Sequence, residues 1–75
     1  MSKRRIKMNT VDDVRIFVKA ADKCIFPVNI TFDGRMIDAK SIMGVMSLDL
    51  TQELTVSYSE EDAELERVLN QFACA

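Results

Sequence analysis

Few side chains in this sequence could carry chemistry. The 75 residues include no histidine, which removes the commonest general base, the commonest metal ligand and any phosphoimidazole chemistry. Cys24 and Cys74 stand apart, with no CxxC pair and no metal-ligand spacing. They read as small apolar fillers or free thiols of a cytoplasmic protein, and no disulfide framework is implied. The hydroxyls of Thr10 and Ser41 fall where helices should begin, and Tyr58 is expected in a strand with its hydroxyl at the rim. There is no Gly-rich phosphate loop, no paired carboxylates in a pocket pattern and no nucleophile beside a base. The expectation is therefore a protein that is not an enzyme and holds neither metal nor cofactor.

Charge narrows the classes further. The net charge is −2, but Lys3, Arg4, Arg5 and Lys7 open the chain while Glu60, Glu61, Asp62, Glu64 and Glu66 crowd its end. A basic opening is one way to build a nucleic-acid arm. Here Ile6 and Met8 alternate with Arg5 and Lys7, so a solvated strand face is expected and no nucleic acid. The acidic cluster suits the first turns of a helix, where carboxylates meet the positive end of the dipole. No apolar run approaches the ~20 residues of a membrane span, and the N-terminus lacks the charged-then-apolar order of a signal peptide. A chain this short suggests one domain over residues 1–75 with one small core.

These residues need a scaffold, and apolar periodicity supplies one. A strand is expected over Arg4 to Met8. Thr10 with Asp13 forms a capping-box variant, and Val11, Val14, Phe17, Val18 and Ala21 continue at helical spacing to about Lys23. Val28, Ile30 and Phe32 alternate with polar residues as in a half-buried strand. Asp33-Gly34 signals a type I′ hairpin, with Met36 and Ile37 on the return strand. Ser41 is placed to cap a short helix, and Leu54, Val56 and Tyr58 mark a fourth strand. Ser59 with Asp62 repeats the capping pattern before a last helix with Leu65, Val68, Leu69 and Phe72. The order β-α-β-β-α-β-α predicts an α+β, open-faced sandwich. Four antiparallel strands form one sheet with three helices on one face, joined by right-handed crossovers in a split arrangement.

The stretch Asp33-Gly34-Arg35 through Ala39-Lys40-Ser41-Ile42-Met43-Gly44-Val45-Met46-Ser47-Leu48 resembles HPr, the phosphocarrier of the bacterial sugar phosphotransferase system. Phe17-Val18-Lys19-Ala20-Ala21 is similar to the middle of that family's first helix, and Thr55-Val56-Ser57 and the acidic start of the last helix also fit. The likeness implies a phosphoryl-accepting histidine and a nearby arginine at the start of the first helix. Counting back from Phe17-Val18 sets these positions at Thr10 and Asp12, with Asp13 in place of the usual proline. The resemblance is thus to a histidine-less, Crh-like member. Asp12 and Asp13 should each favour the helix by roughly 0.3–1 kcal/mol, and each should repel an incoming phosphate.

In Gram-positive members the serine matching Ser41 is phosphorylated by a regulatory kinase, and the product partners a regulator of carbon catabolite repression. Lys40, Ile42, Met43, Met46 and Ser47 are accordingly expected to contact a protein partner, HPr kinase or that regulator. Ser41 is equally explained as a plain N-cap serine with core methionines, and both readings can hold together. Thr10 as an acceptor would give a hydroxyl ester, too stable for onward transfer. The alternative role is a decayed paralogue keeping only the fold with another protein-binding task. A sheet with an edge strand also allows a homodimer.

Overall fold

Period-two alternation builds the sheet, and two stripes of 3.6-residue periodicity cover it. The computed structural model describes residues 2–74. They form β1 (Ser2–Ile6), α1 (Val11–Asp22), β2 (Val28–Phe32), β3 (Arg35–Asp38), α2 (Ile42–Met46), β4 (Leu54–Tyr58) and α3 (Ala63–Phe72). The four strands are antiparallel in the order β1-β4-β2-β3. Each crossover therefore leaves room for another strand, which is the expected split arrangement.

Register fixes which residues share a face. Arg4 lies opposite Val56 and Ile6 opposite Leu54, while Val28 lies opposite Tyr58 and Ile30 opposite Val56. These positions form one face, and Ile6, Val28, Ile30, Leu54, Val56 and Tyr58 on it are buried. Onto it pack Val14, Phe17, Val18 and Ala21 of α1 and Leu65, Val68, Leu69 and Phe72 of α3. The opposite face carries Lys3, Arg5, Asn29, Thr31, Thr55 and Ser57, so one side of the sheet is apolar and the other polar. The hairpin turn is as expected: Asp33 has φ 52° and Gly34 φ 76°, the two positive values a type I′ turn demands.

Three expectations are corrected. β1 ends at Ile6 rather than Met8, because β4 begins at Leu54, the partner of Ile6. Beyond that point the backbone turns to the C-terminal segment: the Lys7 N–H donates to the Phe72 carbonyl at 3.0 Å and the Cys74 N–H to the Arg5 carbonyl at 3.0 Å. Met8 is nonetheless buried and Lys7 exposed, so the alternation outlasts the strand. Second, α3 is capped by Asp62, whose carboxylate accepts from the Leu65 N–H at 3.0 Å, and not by Ser59. Glu60 and Glu61 thus precede the helix, leaving Glu64 and Glu66 in its first turn.

Third, Tyr58 is buried rather than at the rim. It lies beside a polar clasp that the sequence did not suggest. Arg4 of β1 donates to Glu66 at 3.1 Å and to the Asn70 side chain, tying the edge strand to α3. Burial pushes the Tyr58 phenol above its ordinary value of 10.0, the Glu66 carboxylate adds to this, and Arg4 opposes it. Both cysteines are free thiols. Burial, and then Asp62, raise the Cys24 pKa, against the pull of Lys40.

Two outcomes follow. Phe17 is fully buried between α1 and the sheet, so Phe17→Ala should cost about 3–5 kcal/mol, read as a fall in the urea unfolding midpoint. For Tyr58, folding favours the neutral phenol, so that contribution is intact below the unfolded pKa and is lost as pH rises from there toward the folded value. Stability should decline above about pH 10, and less steeply in Tyr58→Phe, when midpoints are compared across that range.

Candidate functional site

Two helix starts carry the residues singled out by the sequence, and their chemistry differs. At α1, Thr10 has extended backbone, and its Oγ1 accepts from the Asp13 N–H at 3.1 Å. In return Asp13 Oδ2 accepts from the Thr10 N–H at 3.3 Å and from the Asn9 N–H at 3.0 Å. The capping box expected from Thr10 and Asp13 is therefore complete, with Asp doing the work more often done by Glu. Three backbone donors that a helix start could offer an anion are taken by the chain's own oxygens. Asp12 is exposed in the same turn and adds a further negative charge. Among the described residues its carboxylate reaches only Arg15, at 4.0 Å between two exposed groups, a pair worth little in water.

Beside this start lies a shallow hollow of about 200 Å³ lined by Lys7, Met8, Asn9, Leu50 and Thr51. Its far wall is a tied loop. Asp49 accepts from the Thr51 hydroxyl and backbone N–H, and these bonds hold the Asp49 carboxyl below its ordinary value.

The start of α2 is open. Ser41 is exposed, and its Oγ accepts from the Gly44 N–H at 3.2 Å, capping a helix of five residues. Gly44 sits at a close approach. A Cβ there would lie 3.0 Å from Ile37 Cγ2 on β3 and 3.2 Å from Ser41 Oγ. At the other end the Ser47 hydroxyl donates to the Gly44 carbonyl at 2.6 Å.

A five-residue helix packed on β3 and α1 buries little, and within α2 only Val45 is buried. Ile42, Met43 and Met46 are exposed. With Ser47, and with Arg15 from α1, they line an open groove of about 400 Å³. Of the expected contact residues, Ile42, Met43, Met46 and Ser47 are thus gathered on one surface. Lys40 is directed elsewhere: its ammonium donates to the Cys24 carbonyl at 2.7 Å, bracing the loop between α1 and β2. Arg15 was not anticipated, because only the packing of α1 against α2 brings it there. Thr10 and Asp12 do not line this groove.

Among the described residues no group of three or more Cys, Asp or Glu side chains is placed to hold a metal ion, and no helix is long and apolar enough to cross a membrane. Removing the reciprocal cap with Thr10→Ala should destabilise the fold by about 0.5–2 kcal/mol, measured by urea unfolding, with less helical ellipticity lost than in Phe17→Ala.

Comparisons with known proteins agree with this architecture. The family model for the PTS HPr component phosphorylation site matches residues 14–73. Among solved structures, the phosphocarrier protein HPr from Bacillus anthracis is 25% identical, with a TM-score of 0.71 and 95% of each chain covered. HPr-C-His from Thermoanaerobacter tengcongensis is also 25% identical, with a TM-score of 0.75, covering 95% of this chain and 89% of its own. Matched over most of its length by the family model and over nearly all of it by these structures, the chain belongs to the HPr family of the phosphotransferase system, whose members are phosphocarriers rather than enzymes.

Proposed function

We propose that this protein is a histidine-less, Crh-like member of the HPr family, no longer a carrier, which acts by binding protein partners under control of Ser41. The supporting observation is the contrast between the two helix starts. The start of α1 is closed by the Thr10–Asp13 box and guarded by Asp12, in a chain with no histidine. The start of α2 presents an exposed serine next to an apolar groove. A phosphoryl carrier needs the first position reactive. A docking switch needs only the second.

In this reading Thr10 and Asp12 occupy the positions of the phosphoryl-accepting histidine and its arginine. Ser41 is the regulatory phosphorylation site, and Ile42, Met43, Met46 and Ser47 are the contact surface. Lys40, held by the Cys24 carbonyl, lies outside the lining of that groove. A phosphate on Ser41 adds about −1.5 to −2 charges and three acceptor oxygens at the rim of a surface whose other charged group is Arg15. The partners are HPr kinase and a regulator of carbon catabolite repression, and the setting is the cytoplasm. The single domain spans residues 1–75.

Incubation with HPr kinase and ATP should add one phosphate to the wild-type chain and none to Ser41→Ala, by intact mass. Phosphoenolpyruvate with enzyme I of the phosphotransferase system should add none to either. A chain unmodified by the kinase would favour the decayed paralogue, and acceptance of phosphate from phosphoenolpyruvate would sink the proposal altogether.

A further inference from the structure

We infer that Met43, together with Met46, is a site of reversible oxidation by peroxides, and that the sulfoxide closes the α1–α2 groove to protein partners. This deepens the docking reading above and rests on it. The observation is the unequal placement of the methionines. Met8 is 0% exposed, Met46 41%, Met36 68% and Met43 83%. Buried thioethers are shielded, whereas an exposed thioether is the most readily oxidised neutral side chain short of cysteine. Of the two thiols, Cys24 is buried, and burial holds its pKa up, away from the reactive thiolate; Cys74 is half-exposed, but it does not line the groove.

Place converts this chemistry into control. Met36 lies opposite Thr31 on the polar face of the sheet, where one more polar oxygen changes nothing. Met43 and Met46 line the groove, and with Ile42 they supply its apolar side chains. Thioethers suit such a surface because they are soft and adaptable. Oxidation replaces that softness with a strongly polar S–O group, which a partner's apolar side chain would have to desolvate. Arg15 lines the same groove, so its guanidinium can donate to the new oxygen and hold the groove shut against an apolar insert.

The step balances with a hydroperoxide as the oxidant. The sulfur lone pair attacks one peroxide oxygen, the O–O bond breaks and an S–O bond forms. Sulfur loses two electrons, and the second oxygen, having gained them and a proton, leaves as water or an alcohol. Methionine sulfoxide reductases with a dithiol reverse it.

The experiment treats the full chain with hydrogen peroxide, maps each methionine by peptide mass, and measures Ser41 phosphorylation by HPr kinase before and after treatment. Met43 should oxidise together with Met36, ahead of Met46, and Met8 last. The rate at subsaturating protein should fall about tenfold, the loss expected for one apolar contact removed from an interface, and recover with methionine sulfoxide reductases. Met36→Leu should behave as wild type. In Met43→Leu/Met46→Leu the ratio of treated to untreated rate should stay near one. An oxidised wild-type chain phosphorylated at full rate, or equal peroxide loss in the double variant, would overturn the switch while leaving the docking reading intact. An untreated chain that the kinase ignores would remove both.

Discussion

One constraint shapes this molecule: a sheet of four short strands has a single apolar face, and a chain this small has only enough helix to cover it once. The longer helices α1 and α3 spend their stripes on that task, with Phe17, Leu65, Val68 and Leu69 filling the space above Ile30, Leu54 and Val56. Little of the face is left for α2. With five residues it can seat Val45 and lean on Ile37, whose Cγ2 would lie 3.0 Å from a Cβ at Gly44. The exposure of Ile42, Met43 and Met46 follows directly. An exposed apolar surface arises here from a covering helix too short to bury its own apolar side chains.

The same economy separates the two helix starts. Every helix begins with backbone donors that need partners. At α1 the partners are internal and reciprocal, the Thr10 hydroxyl and the Asp13 carboxylate each accepting from the other's backbone N–H. At α2 a single serine oxygen meets a single N–H and the rest of the side chain faces solvent. Charge reinforces the difference: Asp12 and Asp13 stand at the first start, while no acidic residue stands in the first turn of the second. An anion is discouraged at one and electrostatically tolerated at the other. The Arg4–Glu66 clasp serves a separate purpose, fastening an edge strand that pairs with β4 on one side and only briefly with residues 72–74 on the other.

Much of this is legible in the sequence alone. The alternation of Val28, Ile30 and Phe32, the Asp33-Gly34 turn and the Thr10–Asp13 pair are local signals, each set within a few residues by sterics or by one hydrogen bond. Helix α2 was legible too, because Ser41 is placed to cap it. That some of Ile42, Met43, Val45 and Met46 must stay exposed follows from their number, since one face of a short helix cannot hide all four; the packing decided that only Val45 is buried. Signals failed where two local solutions competed. Ser59 and Asp62 are both good caps, and the outcome depended on where the chain leaving β4 could turn back over the sheet. Met8 kept the strand's alternation without the strand, because burial comes from side chains whereas strand pairing depends on how far β4 extends.

By itself the sequence determined the order of elements, the self-capped start of α1, the absence of any imidazole, and the apolar surplus around Ser41. Those are properties of neighbours along the chain, where geometry is fixed by bonds and short-range sterics. The tertiary structure alone decided that Arg15 joins Met43 and Met46 around one groove, that Lys40 is drawn away to the Cys24 carbonyl, and that Arg4 meets Glu66 and Tyr58 beneath α3. Each of these joins residues from different elements. Their proximity is set by how α1, α2 and α3 share one apolar face, and no linear spacing encodes it.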